Sequence, residues 1–373
     1  MKIKDLAHNL ATMGNDVVIF LPKNNFRKEK FVHEIIEIPF INLPFLRLVT
    51  FNIFLFLFLI IQLFKKSPSV VYVRRMNSVI PALYAKLRRA VLIYEVNDDP
   101  YGNNIGISLN YVPFLRSIIS SKQDQINLRL CDKAFVITHE ILEKVYKYNP
   151  YLKKDKLKIL PSGANTDLLK PLDKVQCRTH LKFNKGKKIV GFAGTLLGHQ
   201  GIEILIQAAP QIIKKIPETI FLIIGEGPKK LDWIDLVKRQ GLSQHFIFAG
   251  QISYENIPIW LGATDICVAP FMNSAGFRSP VKIFDYMACG KAVVASKIKG
   301  TTDIFSNSSA ILLVEPEEPE ILANAILKIL NDDEKSKEMG HKGRKLISEK
   351  YDRKIIAEKI STTARYILSK DRH

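Results

Sequence analysis

The chain has 373 residues, 47% of them hydrophobic and 24% charged, with 55 Lys and Arg against 36 Asp and Glu for a formal net charge of +19. This composition excludes long disorder, and because a single hydrophobic core stops growing at roughly 250–300 residues it implies two domains. The cationic excess favours a phosphorylated substrate or an anionic membrane surface; nucleic acid is not expected, since the basic residues are dispersed and form no zinc-finger, helix-turn-helix or ribonucleoprotein signature.

In chain order, a polar helix-like run from Ile3 to Met13 precedes a strand at Val17–Leu21, and Lys2, Lys4 and Asp5 argue against an export signal. Strands are predicted at Ser69–Val73, Val91–Val96 and Lys133–Thr138, with helices at Ile80–Arg89 and Glu140–Tyr148. Such alternation predicts a parallel sheet covered by helices. Leu160–Asn165 is turn-rich, Pro171 follows, and Lys185–Lys188 is polar, which marks a change of domain. The expected division is 1–165, then 166–350, with 351–373 as a helix packing back on the first domain.

Beyond the change, strands are predicted at Ile189–Ala193, Ile220–Ile224, Phe246–Ala249, Ile266–Ala269, Ala292–Ala295 and Ala310–Val314. Helices are predicted at Ile202–Lys215, Lys230–Gln240, Pro258–Ala263, Val281–Ala288 and Pro319–Leu330, and Lys335–Lys370 reads as two more. Cys131, Cys177, Cys267 and Cys289 are scattered without a C-x-x-C pair, so neither a zinc site nor a disulfide framework is expected, and a reducing compartment fits.

Leu48–Phe64 is almost wholly apolar, broken by Thr50, Asn52 and Gln62 and flanked by Arg47, Lys65 and Lys66. As a helix it would span about 25 Å, short of the ~30 Å hydrocarbon core of a bilayer. The preferred reading is a helix lying on an anionic membrane surface or in a lipid-acceptor groove, its basic flanks meeting head groups. A core helix and a true span remain as alternatives.

Three strands of the second half end in glycine: Gly194 opens a loop through Thr195, His199 and Gln200 to Gly201, Gly225 begins Gly-Glu-Gly-Pro, and Gly250 is followed by Gln251 and Ile252. Strand C-termini of open parallel sheets bind ligands, and glycine lets backbone amides approach a phosphate at a helix N-terminus. Each glycine could equally serve a turn needing positive φ.

Gly276–Val294 is the densest segment. Ser279 suits an N-cap and Pro280 the first helical position. Arg278 and Lys282 put positive charge at that helix start, where it opposes the dipole unless an anion binds; as alternatives, both are solvated helix residues. Asp285 comes one turn after Lys282 on the same face, where it could accept hydrogen bonds from a ribose diol.

Taken in order, Leu-Pro-Ser-Gly-Ala-Asn-Thr-Asp at 160–167, the Gly194 loop, Gly-Glu-Gly-Pro at 225–228, Phe-Ala-Gly-Gln-Ile at 248–252, Ala-Thr-Asp-Ile-Cys-Val-Ala-Pro at 263–270 and Phe-Asp-Tyr-Met-Ala-Cys-Gly-Lys at 284–291 form a specific set. On these the chain resembles the family 4 retaining glycosyltransferases of GT-B architecture, more loosely in its first half. The resemblance implies an α/β fold of two Rossmann-like domains facing across a cleft. It implies a nucleotide-sugar donor as co-substrate, no cofactor, no metal, and a glycan or lipid-linked acceptor. By position, Asp285 would bind the ribose, Gly250, Gln251 and Ile252 the base, and Gly194, Thr195, Gln200, Gly225 and the Ser279–Pro280 helix start the diphosphate. The expected role is envelope polysaccharide or glycolipid synthesis by a cytoplasmic protein peripheral on the inner face of the cell membrane.

The chain departs from the family pattern at several points. Thr195 and Gln200 replace an Arg and a Lys, Phe277 and Asp285 fall at the two positions of a Glu-x7-Glu pair, and the family's first strand and glycine-rich loop do not precede Met13. Lys282, helped by Arg278, is therefore expected to take over stabilising the leaving diphosphate, and a lysine at position 200 to keep or raise activity. The same departures leave open a catalytically inactive GT-B protein acting as a binding or scaffold partner. His139 and the Glu95, Asp98, Asp99 cluster, both beyond strand ends, could orient an acceptor hydroxyl or be ordinary solvated loop.

Overall fold

A computed structural model describes residues 2–23, 33–43, 46–98, 112–275 and 280–370. The chain divides into two compact units, 1–161 together with 353–373, and 162–352. The first crossing falls four residues before the expected boundary at 165 and the second two residues after 350.

The first unit contains α1 (Lys2–Thr12), β1 (Val18–Pro22), β2 (Glu34–Ile38), α2 (Leu46–Gln62), β3 (Val70–Arg74), α3 (Ile80–Leu87), β4 (Val91–Val96), α4 (Val112–Leu130), β5 (Lys133–Val136), α5 (His139–Tyr148) and β6 (Leu157–Ile159). The strands β3-β4-β5-β6 form a parallel sheet, and β1 and β2 pair in parallel as a separate one. Val91–Tyr94 is fully buried, as expected of a strand covered on both faces. The strand β2 escapes sequence reading because Glu34 and Glu37 break its apolar run, and β6 because it has three residues.

One face of α2 packs Leu55 and Leu59 against Ile38, with Phe20 and Tyr84 beside them. The opposite face leaves Val49, Ile53, Phe56 and Ile60 exposed, and Phe64 beyond it is 88% exposed. The helix is thus anchored to its unit along one side and apolar on the other. Among the described residues no helix is long and apolar enough to cross a membrane.

The second unit contains α6 (Lys174–His180), β7 (Lys188–Ala193), α7 (Ile202–Lys215), β8 (Thr219–Ile224), α8 (Lys230–Arg239), β9 (Phe246–Gly250), α9 (Ile257–Gly262), β10 (Ile266–Ala269), α10 (Val281–Ala288), β11 (Ala292–Ser296), α11 (Lys299–Phe305), β12 (Ile311–Val314), α12 (Pro319–Leu330) and α13 (Asp333–Lys350). Its six parallel strands run β12-β11-β10-β7-β8-β9. Leu205, Ile212, Leu322 and Ile326 of α7 and α12 cover one face, and Ile283, Met287 and Ile347 of α10 and α13 the other. The last helix, α14 (Arg353–Lys370), returns to the first unit. There Ile360 and Ala364 pack on Val91 and Ile93, and Arg353 forms a salt bridge with Asp5 of α1.

Candidate functional site

The strand order of the second unit reverses between β7 and β10. In open α/β sheets the crevice beyond the strand C-termini at such a reversal is where ligands bind. The three glycine-bearing ends meet beside it. Gly194 N donates to Ile224 O at 2.9 Å, and Gly225 N donates to Gly250 O at 2.8 Å. A Cβ on Gly225, at φ +138°, would stand 1.9 Å from Gly194 O, and one on Gly201, at φ +68°, 1.8 Å from Pro270 O. Both positions therefore require glycine, sterically and conformationally. Gly201 immediately precedes α7, so the backbone after β10 lies against the start of that helix.

The helix α10 supplies the side chains. Its first described turn differs from the sequence expectation: Pro280 stands at the cap position, the helix begins at Val281, and no side chain caps it. Pro280, with φ −77° and ψ 59°, lies outside the helical region itself. Arg278 and Ser279 lie outside the described residues.

Lys282 reaches back under the β7 loop. Its ammonium donates to Gln200 Oε1 and lies 3.9 Å from the centroid of the Phe192 ring and 5.1 Å from that of Phe271. Any Cβ at Gly194 would come within 2.9 Å of Lys282 Nζ, so the loop and the lysine are in direct contact. Burial lowers the ammonium's pKa well below the usual lysine range. A neutral amide and two ring faces stabilise the cation but do not neutralise it, and an anion arriving here would gain from that.

One turn on, Asp285 Oδ1 accepts a long hydrogen bond from Tyr254 OH at 3.5 Å. Tyr286, next to it, is fully buried. Its hydroxyl accepts from Ala193 N at 2.7 Å and donates to Ala193 O at 3.0 Å, tying α10 to the end of β7.

The expected residues thus separate. Gly194, Gly225, Lys282 and Gln200 come together, with Gly250 joined through Gly225. Thr195 is exposed at the loop surface, while Gln200 is buried against Lys282 and also donates to His199 Nε2 at 2.7 Å. Gln251 is exposed and Ile252 half-buried just past β9. Sequence reasoning missed Phe192, Phe271, Tyr254 and Tyr286, since no local pattern signals contacts made across strands.

In the first unit, Glu95 at the end of β4 accepts from Tyr72 OH and pairs with Arg74 at 3.5 Å. Asp98 follows it in the chain, and Asp99 lies outside the described residues. His139 is exposed at the start of α5, where Thr138 caps the helix through Ile141 N at 3.3 Å. A buried network stands nearby: Arg75 Nε donates to Asp124 Oδ2 at 2.9 Å and Tyr94 OH to Asp124 Oδ1 at 2.5 Å. Desolvation raises the Asp124 carboxyl above its ordinary value despite the guanidinium beside it.

Residues 174–346 match the family described as Glycosyl transferases group 1, and residues 3–168 match Glycosyltransferase Family 4. The 2-deoxystreptamine glucosyltransferase of Streptomyces kanamyceticus is 26% identical over 148 residues, 40% of this chain and 38% of that protein. The GDP-mannose-dependent alpha-(1-6)-phosphatidylinositol monomannoside mannosyltransferase of Mycolicibacterium smegmatis is 24% identical over 193 residues, half of each chain. The chain therefore spans about half or less of the length of these curated relatives. Among solved structures, sucrose-phosphate synthase from Thermosynechococcus elongatus superposes with a TM-score of 0.79 at 21% identity, over 98% of this chain and 92% of that one. HepE of Anabaena in complex with UDP gives 0.74 at 17% identity, over 98% and 96%. At such identities the solved structures establish a shared fold.

Proposed function

Since the chain belongs to the family 4 glycosyltransferases of GT-B architecture, we propose that it moves a hexosyl group, with retention, from a nucleotide diphosphate sugar to a glycan or lipid-linked acceptor. The observation that carries this reading is the Lys282 ammonium held against Gly194 at the sheet reversal, where its partners among the described residues are a neutral amide and two aromatic rings. A sugar diphosphate placed there would supply the missing negative charge.

In the proposed reaction the donor C1–O bond breaks and its electron pair leaves with the diphosphate. Lys282, with Arg278, stabilises that developing charge. The acceptor hydroxyl attacks C1 from the same face, and its proton passes to the departing diphosphate oxygen. Asp285 holds the ribose, the backbone of Gly250, Gln251 and Ile252 the base, and Gly194, Thr195, Gly225 and the start of α10 the diphosphate. Gln200 acts through Lys282, fixing its ammonium. Tyr286 is a positioning residue that keeps α10 and the β7 loop in register.

The acceptor reading is glycolipid or envelope polysaccharide synthesis at the inner, cytoplasmic face of the cell membrane, with the exposed face of α2 lying in the interface. Two relatives support it by their names: the mycobacterial-type mannosyltransferase acts on a phosphatidylinositol monomannoside, and the structural neighbour WaaG functions in lipopolysaccharide biosynthesis. Calorimetric titration with UDP-, GDP- and ADP-sugars, followed by a transfer assay with the donor that binds, tests the proposal. Absence of binding to all three would sink it. Binding without turnover would favour the inactive scaffold, a reading that the neutral Thr195 and Gln200 keep in play.

A further inference from the structure

The first unit carries a cavity of about 1000 Å³, remote in the sheet from the strand C-termini. It opens at the N-terminal edge of β5 and β6, between Arg129–Lys133, Tyr151–Lys158 and the last turns of α14. Among its described lining residues seven are Lys or Arg and two are Asp, a net charge of +5 in one groove. Several of these cations are held by neutral groups. Lys156 Nζ donates to Arg129 O at 2.9 Å, Lys133 Nζ donates to Asp155 O, and the Arg129 guanidinium lies 4.4 Å from the centroid of the Tyr151 ring. Lys153, Lys158 and Lys370 are exposed along it. Among the acids, Asp132 is shared between Lys86 at 2.8 Å and Leu92 N at 2.7 Å.

The helix α3 connects this groove to the exposed face of α2. Lys86 lines the groove. Leu83 and Leu87, 53% and 68% exposed, lie beside it on one side, all three within an arc of about 100° on the helix. At the end of α3 the Arg88 guanidinium donates to Leu63 O at 2.9 Å and Lys65 O at 2.7 Å, which fastens the C-termini of the two helices together. The helix α3 thus carries both a groove-lining lysine and exposed leucines, and its end is tied to that of α2. A nucleic acid or an acidic peptide would satisfy the lysines and leave Leu83, Leu87, Ile53 and Phe56 in water. A bilayer satisfies both, with acyl chains against the leucines and phenylalanine and anionic head groups in the groove.

We infer that the groove at the N-terminal edge of β5 and β6 binds the head groups of anionic phospholipids while α2 and α3 lie in the interface. This rests on the membrane reading of α2. The test is co-sedimentation of the full chain with vesicles of phosphatidylcholine alone and of phosphatidylcholine with phosphatidylglycerol. Combined Lys153→Gln, Lys158→Gln and Lys370→Gln should weaken partition onto the phosphatidylglycerol vesicles about 100-fold, from ~1 kcal/mol per lysine near an anionic surface. Partition onto neutral vesicles should stay as in the native chain. A control with the same charge change, Lys214→Gln, Lys215→Gln and Lys238→Gln on the second unit, should lose far less. All six lysines are exposed, so the fold is preserved. The inference is overturned if the groove variant partitions like the native chain, if the control loses as much, or if the groove variant loses duplex DNA or polyglutamate binding while keeping vesicles. Phe56→Ser with Ile60→Ser separates the two ideas: loss on both vesicle types supports α2 insertion, and survival overturns α2 insertion and with it the inference, whereas failure of the lysine comparison overturns the groove alone. A native chain that sediments with neither vesicle overturns both.

Discussion

The ammonium of Lys282 lies 3.9 Å from the centroid of the Phe192 ring, one residue before the end of the strand that leads into the Gly194 loop. The contact joins the first turn of α10 to the central strand of the sheet. It places a desolvated amine where the strand order reverses, and an anion bound there would favour its charged form.

Lys282→Ala should lower turnover by on the order of 10²–10³-fold with an identified donor, the range for one preorganised electrostatic contact. Steady-state kinetics at saturating donor measures this. Near-normal turnover would show that the leaving group is stabilised elsewhere.

Lys282→Met should raise the melting temperature of the ligand-free protein at neutral pH. The folded-state pKa lies below the ordinary 10.5. Between the two values the folded form binds fewer protons than the unfolded chain, so this group makes stability rise with pH through that window. At neutral pH its burial opposes folding, and methionine removes that penalty at similar length. Melting curves at neutral and alkaline pH should show the gain shrinking as pH rises; an equal gain at every pH would contradict the assignment.

A lysine at position 200 is now expected to lower donor affinity and stability, reversing the sequence expectation. Gln200 is buried and its carbonyl accepts from Lys282. Gln200→Lys would set two ammonium groups together and remove the acceptor. Thermal melts of Gln200→Lys and Gln200→Glu separate charge from size, since the glutamate should bind the cation and stabilise.

Asp285→Asn should weaken nucleoside diphosphate binding by ~1–3 kcal/mol, the cost of a charge-assisted hydrogen bond, with the fold intact. Calorimetry with the preferred nucleotide is the check, and unchanged affinity would remove Asp285 from the ribose site.

Tyr286→Phe should leave the Ala193 amide short of a buried partner and cost ~1–3 kcal/mol in chemical denaturation. As a positioning effect it should raise KM for the donor more than it alters the pH profile of turnover. By contrast, Gly201→Ala should fail more severely, because its Cβ would meet Pro270 O at 1.8 Å and φ is +68°; loss of the cooperative transition or a shift of several degrees is expected.

The sequence by itself determined most of the elements and their type, though α4, α6, α11, β2 and β6 were not read from it. Buried parallel strands such as Thr219–Ile224 are continuous apolar runs, and α7, α10 and α12 carry apolar residues at helical spacing, so local periodicity suffices to find them. It also placed the glycines, because a tight strand end leaves few other residues possible. Elements whose order depends on neighbours were illegible: β2, interrupted by Glu37, becomes a strand only through pairing with β1.

Only the tertiary structure decided which side chains meet. Thr195 and Gln200 look equivalent in sequence, two neutral residues at positions where cations are usual, yet one is exposed and the other is buried against Lys282. Tyr286 and Ala193 are 93 residues apart and share two hydrogen bonds. The groove between α4, β5, β6 and α14 gathers lysines from segments over 200 residues apart in sequence, from Lys133 to Lys370. The physical reason is common to all three. Periodicity reports whether a position faces core or solvent, but charge pairing and desolvation depend on distances between segments, and those arise only when the strands are ordered into sheets.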